Sequence, residues 1–313
     1  MGLSRKDLIG IQHTPRADIE LILDTAIPMK EIIQRSLKKV PTLRGHSVIT
    51  VFYEASTRTR VSFELAAKYL SADTVNIAAK DSSISKGESL IDTAQTIAAM
   101  GANAVVLRHP MAGAADILAK SIDIPVLNAG DGAHEHPTQA LLNLFTVKEK
   151  KGTLEGLQIA IIGDIAHSRV ARSDIWAYTK MGANVRLCAP ATLIPPGIER
   201  LGVTVHHRVE DAVADADIIS VLRLQKERQQ MGLFPGLQEY SRLFGINRER
   251  LALAAPDALV MHPGPVNQGV EITMDVAYGA QSVITEQVTN GVAVRMALLY
   301  LMAGGMVKHE NSH

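Results

Sequence analysis

The chain alternates between short, continuously apolar segments and longer segments in which apolar residues recur at helical spacing. Between Ile19 and Ala26 the apolar residues lie three or four positions apart, and the preceding Thr14 and Pro15 predict a helix N-cap and a first-turn proline. The β-branched and aromatic run Ser47–Tyr53 predicts a strand. The spacing in Val61–Leu70 predicts a helix after it. Further strands are predicted at Thr74–Ala78, Ala104–Arg108, Val126–Asn128, Gln158–Gly163, Asn184–Cys188, Asp217–Leu222 and Ala258–Met261.

Strands without polar alternation, separated by helices, are typical of parallel sheets that are covered on both faces. We therefore predict an α/β protein of two domains, each a parallel β-sheet flanked by helices, which agrees with a length of 313 residues. The charged run 148–152 predicts a boundary between residues 1–150 and residues 151–287. The apolar segment Val288–Val307 predicts a last helix, and the pattern alone does not say on which domain it packs. The polar segment Gln225–Gly245 predicts a long surface loop.

Composition narrows the classes of function. Hydrophobic residues make up 47% of the chain, as in ordinary folded proteins, and 32 Lys and Arg balance 32 Asp and Glu. Zero net charge argues against a nucleic-acid coat or a polybasic membrane anchor, since both depend on positive charge. The one cysteine, Cys188, excludes a disulfide framework and a four-cysteine zinc site. Because we find neither an apolar signal core at the N-terminus nor a membrane-spanning stretch, we predict a cytoplasmic protein.

The first candidate site is Ser56–Arg60 (Ser-Thr-Arg-Thr-Arg), which follows a predicted strand and opens a helix. Helix N-termini present unpaired N–H groups to anions, and arginine matches phosphate oxygens two at a time. This pentapeptide therefore favours a phosphate site. Taken alone, it leaves open a capping serine with two solvated arginines.

Two further motifs follow strands of the same half of the chain. They are Arg108-His109-Pro110 and His136-Pro137-Thr138-Gln139, and in the second of these Pro137 fits a first helical turn. Because ligands bind beyond the carboxyl ends of parallel strands, these donors are expected at one sheet edge. Donors without a nucleophile beside them indicate a site for an anionic compound with a carbonyl group. The expected donors are Arg58, Thr59, Arg108, His136 and Gln139.

The second half carries a different set of candidates. Gly163 lacks the Gly-x-Gly-x-x-Gly spacing, which argues against a nicotinamide cofactor. Arg169, Arg223 and Gln225 follow predicted strands and suit a carboxylate, although each arginine could instead form a surface ion pair. The segment His262-Pro263-Gly264-Pro265 predicts a rigid turn able to present backbone carbonyls.

Together these motifs resemble the catalytic chain of the aspartate transcarbamoylase (aspartate carbamoyltransferase) family over essentially the full length. Lys86-Gly87-Glu88 and Gln225-Lys226-Glu227-Arg228 also match. Relatives that use ornithine typically carry His-Cys-Leu-Pro where this chain has His262–Pro265. One departure is Gly264, where some members carry leucine; the backbone carbonyl is kept.

The resemblance implies carbamoyl transfer from carbamoyl phosphate to L-aspartate in pyrimidine biosynthesis, with no cofactor and no metal. It implies a homotrimer in which Ser82 and Lys86 reach into the neighbouring chain's site, and a C-terminal helix of about residues 288–308 that returns to the N-terminal domain. It also implies that Glu54 bridges the domains. The implied carbamoyl phosphate ligands are Ser56, Thr57, Arg58, Thr59, Ser82, Arg108, His136, Gln139, Gly264 and Pro265. The implied aspartate ligands are Lys86, Arg169, Arg223 and Gln225. The implied catalytic residues are Arg58, Thr59, Lys86, Arg108 and His136.

Three alternatives stay open. The amine acceptor could differ from aspartate, and the chain could be an inactive sugar-phosphate or nucleotide sensor, although a sensor does not need the full set of donors. A nucleophilic role for Cys188 is disfavoured because it lies within a predicted strand. Association of catalytic trimers with a regulatory chain or a dihydroorotase is not decided by the residues.

Overall fold

Two parallel β-sheets organise the chain, one in each of two structural units. The computed structural model describes residues 2–78, 89–224 and 236–304. Unit 1 is Met1–Leu142 with Thr289–His313, and unit 2 is Asn143–Val288. The chain passes from one unit to the other within helices α5 (Pro137–Lys151) and α11 (Ile284–Ala303). From Thr289 onward α11 belongs to unit 1, so the expected return of the C-terminal helix is confirmed.

Unit 1 is built on a four-stranded sheet in which every pair of strands is parallel. The strands lie in the order β2 (Asp73–Ala78), β1 (Ser47–Phe52), β3 (Ala104–His109) and β4 (Val126–Asp131). Strands β3 and β4 are buried along their whole length, which explains why their sequences are continuously apolar. Strand β2 forms one edge and is largely exposed. At the other edge the backbone of Leu8 pairs with Val126 and Asn128. The elements are α1 (Arg16–Gln34), β1 (Ser47–Phe52), α2 (Thr57–Tyr69), β2 (Asp73–Ala78), α3 (Leu90–Ala99), β3 (Ala104–His109), α4 (Ala114–Ser121) and β4 (Val126–Asp131).

Unit 2 is built on a five-stranded parallel sheet. The strands lie in the order β7 (Thr204–His206), β6 (Asn184–Cys188), β5 (Gln158–Ile162), β8 (Ile218–Val221) and β9 (Leu259–Met261). Its core contains residues of β5 and β8 together with α7 and the chain around β9. The predicted α/β class with two parallel sheets is therefore confirmed. The elements are β5 (Gln158–Ile162), α6 (Arg169–Lys180), β6 (Asn184–Cys188), β7 (Thr204–His206), α7 (Val209–Val213), β8 (Ile218–Val221), α8 (Leu237–Phe244), α9 (Arg248–Leu251), β9 (Leu259–Met261) and α10 (Met274–Ala277).

Several predicted boundaries were wrong in instructive ways. Helix α1 begins at Arg16 with Pro15 at its N-cap, one position after the predicted cap, and the Thr14 hydroxyl donates to the Gly10 carbonyl (2.7 Å). Helix α2 begins at Thr57 with the Ser56 side chain as its cap, so the prediction that Ser56–Arg60 opens a helix is confirmed, and the helix starts four residues before the spacing noted from Val61.

The predicted loop 225–245 was wrong in its last part, which forms helix α8. Tyr240 in this helix is 2% exposed and its ring lies 5.7 Å from that of Phe244, so the polar segment forms an amphipathic helix by burying one side. Residues 225–235 lie outside the described residues. Helix α11 begins four residues before the predicted Val288.

We predict that Ile219→Ala lowers the free energy of unfolding of unit 2 by about 2–5 kcal/mol, because Ile219 is fully buried in β8 and its removal leaves a cavity. Trp176 is the single tryptophan and lies in α6, so its fluorescence during urea unfolding reports on this unit. Leu253→Ala is the matched control, since Leu253 is 45% exposed and should change stability by less than about 0.5 kcal/mol. Equal losses for the two variants would contradict the description of this core.

Candidate active site

The N-terminus of α2 presents a group of hydroxyls and guanidiniums at the carboxyl end of β1. Ser56 has extended backbone geometry, and its hydroxyl accepts a hydrogen bond from the Thr59 N–H at 3.4 Å. Thr57 and Arg58 are exposed, whereas Thr59 is buried. The first turn contains no acidic residue, so nothing within it competes with an anion for the free N–H groups.

Arg108 is the penultimate residue of the neighbouring strand β3 and pairs with Glu54, two residues before Ser56. It is 9% exposed and is the parallel-strand partner of Phe52 in β1. Its Nη2 donates to Glu54 Oε1 at 2.6 Å, and its Nη1 donates to the Ala129 carbonyl at 3.2 Å. The guanidinium is therefore held in place by an ion pair and by the backbone of β4, in a partly desolvated position where charge–charge interactions are strong.

His136 and Gln139 enter from the third strand, because α5 begins at Pro137 directly after the β4 loop. The backbone carbonyl of His136 accepts from the Gln139 N–H at 2.9 Å, which forms the first turn of α5. Both residues are nearly buried. Strands β1, β3 and β4 are adjacent in the sheet. Thr59 follows β1, Arg108 lies at the end of β3, and His136 and Gln139 follow β4, so all four lie on segments at the carboxyl ends of neighbouring strands.

Asp131 holds the loop between β4 and α5 in its conformation. It is fully buried and accepts hydrogen bonds from the Gly113 N–H (2.7 Å), the Asn128 side chain (2.7 Å) and the Glu135 N–H (3.2 Å), with His134 Nδ1 at 3.0 Å. Burial alone raises the pKa of Asp131, but the bonds from His134, Asn128 and Gly113 outweigh it and lower the pKa below its ordinary value. The carboxylate is thus ionised at neutral pH and fixes the approach to His136.

In unit 2, two arginines follow adjacent strands. Arg169 is the first residue of α6, after β5, and is 5% exposed; the Ser168 hydroxyl caps this helix by accepting from the Ala171 N–H at 3.1 Å. Arg223 follows β8, which pairs with β5, and is partly buried. Gly163 between β5 and α6 has φ +132°, and an added Cβ would lie 2.9 Å from the Leu222 Cβ, so a glycine is required for this close approach of the two loops.

The His262–Pro265 turn follows β9, the neighbour of β8, and is held by its own histidine. His262 Nδ1 accepts from the Gly264 N–H at 2.8 Å, so Nε2 carries the ring proton and lies 3.2 Å from Glu271 Oε1. His262 is 2% exposed, Gly264 has φ +64° and the Gly264–Pro265 peptide bond is cis. Pro265 is exposed. The hydrogen bond from the Gly264 N–H to His262 Nδ1 holds the turn in addition to the prolines on which the prediction of a rigid turn rested.

A chain of buried amides anchors the same turn from beneath. The His262 N–H donates to Gln287 Oε1 (3.0 Å), Gln287 Nε2 donates to Asn143 Oδ1 (2.8 Å), and Asn143 Nδ2 donates to Asp174 (2.9 Å). Burial raises the pKa of Asp174 to about 7 despite the bond from Asn143. These supporting residues belong to no recognisable motif, and sequence reasoning missed them.

The structure also argues against the alternative that Cys188 acts as a nucleophile. The thiol lies in β6 with no exposed surface, and burial, followed by the charge of Glu210, raises its pKa to about 12. A thiol with so high a pKa is not a nucleophile at neutral pH. Of the other predicted site residues, Ser82, Lys86 and Gln225 lie outside the described residues.

Neither a metal-binding cluster nor a membrane-spanning helix is found among the described residues. Within residues 2–78, 89–224 and 236–304, no group of three or more His, Cys, Asp or Glu side chains is arranged to hold a metal ion. In that same part of the chain, every helix is too short or too polar to cross a membrane.

Comparison with known proteins matches two family profiles to successive parts of the chain. The profile of the aspartate/ornithine carbamoyltransferase carbamoyl-P binding domain matches residues 6–149, and that of the Asp/Orn binding domain matches residues 155–302. The catalytic subunit of aspartate carbamoyltransferase from Pelotomaculum thermopropionicum is 73% identical over 97% of this chain and 99% of its own. The corresponding subunit from Moorella thermoacetica is 63% identical with the same coverage.

Solved structures show the same likeness at lower identity. Ornithine carbamoyltransferase from Pyrococcus furiosus has a TM-score of 0.86 at 31% identity and covers 97% of this chain and 99% of that chain. Aspartate transcarbamoylase from Trypanosoma cruzi, in complex with carbamoyl aspartate and phosphate, has a TM-score of 0.85 at 31% identity and covers 94% and 95%. The chain therefore belongs to the aspartate/ornithine carbamoyltransferase family, and within it to the aspartate carbamoyltransferase catalytic subunits.

Proposed function

We propose that this protein transfers the carbamoyl group of carbamoyl phosphate to the amine of L-aspartate, which yields N-carbamoyl-L-aspartate and phosphate for pyrimidine biosynthesis. The observation that carries the proposal is the 73% identity with an aspartate carbamoyltransferase catalytic subunit over almost the whole length of both chains. The donor group at the ends of β1, β3 and β4 supports it, because its chemistry suits a phosphorylated carbonyl compound.

The proposed division of labour follows the two halves of the chain. Residues 1–150, with the C-terminal helix of about 288–308, bind carbamoyl phosphate. The phosphate is held by Ser56, Thr57, Arg58 and Thr59, whose helix N-terminus contains no acid to repel it. The carbamoyl group is held by Arg108, His136 and Gln139, with the Gly264 and Pro265 carbonyls on its nitrogen.

Residues 151–287 bind L-aspartate. Arg169 and Arg223 bind its two carboxylates with Gln225, since guanidiniums bind carboxylates through two parallel hydrogen bonds. Their positions after the adjacent strands β5 and β8 support this role. Lys86 from a neighbouring chain completes the set.

The proposed reaction requires charge stabilisation rather than a strong base. The aspartate amine forms a bond to the carbamoyl carbon, the carbonyl oxygen gains negative charge, and the bond to the phosphate oxygen then breaks. Thr59, Arg108 and His136 stabilise the oxygen, each donor contributing about 3 kcal/mol in comparable sites. The departing phosphate accepts the proton from the amine. Holding two anionic substrates together supplies the rest of the acceleration.

We propose a cytoplasmic homotrimer with active sites shared between chains. Three exposed apolar residues of unit 1 support an interface on this side: Val61 of α2, Val75 of the edge strand β2 and Ile91 of α3. They lie on elements before and after residues 79–88, the segment that carries Ser82 and Lys86.

We predict that, with radiolabelled carbamoyl phosphate and a panel of amines, L-aspartate is the efficient acceptor. L-glutamate, which is one methylene longer, should react about 10–200-fold less efficiently. Ornithine should react less still, because its second amine places a cation near Arg169 and Arg223. Efficient use of ornithine would indicate a different carbamoyltransferase, and phosphate binding without any turnover would indicate a sensor.

We predict that Arg58→Ala and Arg223→Ala fail differently. Loss of Arg58 removes a phosphate donor and should raise the KM for carbamoyl phosphate and lower kcat, whereas loss of Arg223 should chiefly raise the KM for aspartate. Steady-state kinetics with each substrate varied separately measures both effects. Wild-type kinetics in both variants would contradict the site assignment.

We predict that a mixture of Arg58→Ala and Lys86→Ala chains recovers activity that neither pure variant has. In trimers reassembled at random from equal amounts, about a quarter of the sites combine an intact Arg58 from one chain with an intact Lys86 from its neighbour, by cyclic symmetry. Activity should return to roughly that fraction of the native level. Hybrid trimers confirmed by native mass spectrometry but without activity would show that Lys86 serves its own chain's site or none.

A further inference from the structure

Arg295 of α11 is a buried cation that the reaction above does not use. The residue is 4% exposed. Its Nη1 donates to Ser62 Oγ at 2.9 Å and to the Gly291 carbonyl of its own helix at 3.1 Å, and its Nη2 donates to Thr138 Oγ1 at 3.2 Å. The guanidinium carbon lies 5.2 Å from the centre of the Phe63 ring. The side chain therefore lies inside unit 1, and the groups of Ser62, Gly291 and Thr138 to which it donates are neutral.

Within the part of the chain that the structure describes, this charge has no counter-ion. Among the described residues, no carboxylate lies within ion-pairing distance of the guanidinium, and the other charge acting on it is that of Arg108. Burial first, and then Arg108, lowers the pKa of Arg295 to about 9, so the group remains protonated at neutral pH. An unpaired buried charge is among the most destabilising features of a folded protein. Such a feature is expected where an anion binds and compensates for it.

The two hydroxyls that Arg295 contacts lie on the helices that begin at the proposed carbamoyl phosphate site. Ser62 is in the second turn of α2, whose first turn carries Thr57, Arg58 and Thr59. Thr138 is the second residue of α5, two positions after His136. One planar guanidinium thus connects the second turn of α2 to the first turn of α5, and its fork geometry fixes the distance between them.

Gly291 is the structural condition for this contact. A Cβ added at Gly291 would lie 2.6 Å from Arg295 Nη1 and 3.1 Å from the Leu142 Cδ2 atom. Without a side chain at this position, the guanidinium can fold back along α11 and reach its own helix carbonyl. Glycine within a helix costs about 1 kcal/mol relative to alanine, so the position is occupied at the expense of helix stability.

We propose that Arg295 is a positioning residue of the carbamoyl phosphate site: its fork sets the spacing between the second turn of α2 and the first turn of α5, and its uncompensated charge strengthens the binding of the phosphate dianion. The proposal rests on the proposed function for the identity of the ligand. The binding of inorganic phosphate tests it independently of turnover.

The test compares variants that separate charge from geometry. Arg295→Met removes both charge and fork, and should raise the Kd for inorganic phosphate and the KM for carbamoyl phosphate by about tenfold or more. The KM for aspartate at saturating carbamoyl phosphate should change by less than about twofold. Arg295→Lys keeps the charge without the fork; it should retain phosphate affinity within about threefold and should lower kcat.

Gly291→Ala gives a second and more selective test. The added methyl group displaces the guanidinium, so phosphate affinity should fall, although alanine is the better helix former and thermal stability should not fall in parallel. This variant keeps the test informative if Arg295→Met does not fold.

The matched control is Arg186→Met in unit 2. Arg186 is a partly buried arginine whose guanidinium donates to the Ala214 carbonyl (2.6 Å) and to Gln158 Oε1 (2.9 Å), with no place in the proposed site. Its loss should lower stability and leave phosphate binding unchanged. Folded Arg295→Met and Gly291→Ala proteins with wild-type phosphate affinity would overturn the proposal, as would an equal loss of affinity in Arg186→Met. If instead phosphate binds as expected but aspartate is never carbamoylated, the proposed function fails and the inference about Arg295 stands.

Discussion

The carboxyl edge of the first sheet must hold positive charges close together before any anion arrives. Arg108 is partly neutralised by Glu54, whereas Arg295 contacts only neutral partners among the described residues. Mutual repulsion and desolvation both act against this arrangement. It persists because β3 and β4 are buried along their whole length and because Ser56 caps helix α2. Such a field suits the proposed phosphate ligand.

The loop in front of His136 shows the opposite device. Here a buried carboxylate, Asp131, is stabilised by three N–H donors and by His134, so that its charge is satisfied within the protein. One buried charge therefore has its own set of partners and fixes a loop, while the other, Arg295, has no counter-ion among the described residues and lies on the side of the proposed carbamoyl phosphate site. The difference follows from what each charge does: a structural ion is paired, and an ion that attracts a ligand is left to be paired by it.

Unit 2 supports its turn with side-chain amides and a carboxylate rather than with a buried cation. His262 is held in one tautomer by the Gly264 N–H and by Glu271, and its backbone N–H is bound to Gln287. Such a fully bonded ring orients backbone carbonyls of the turn without adding positive charge. The turn is thereby suited to bind an amide N–H, in contrast to Arg169 and Arg223, which are suited to bind carboxylates.

Most elements of the fold could be predicted from short stretches of sequence, because capping residues and the spacing of apolar residues mark where strands and helices lie. The Ser56 cap, the Pro137 start of α5 and the buried strands β3 and β4 were all visible in short windows. Where local signals conflicted with packing, the prediction failed. Helix α8 lies in a polar segment that becomes helical by burying Tyr240.

The sequence by itself determined the α/β class, the positions of the motif residues at strand ends and, by resemblance, the family. Only the tertiary structure revealed the residues that support those motifs. Arg295 meets Ser62 across 233 positions and Thr138 across 157, and Gln287 meets Asn143 across 144. The physical reason is that periodicity and capping express interactions within a few turns of the chain, whereas a buried charge or amide is defined by groups that only folding brings to it.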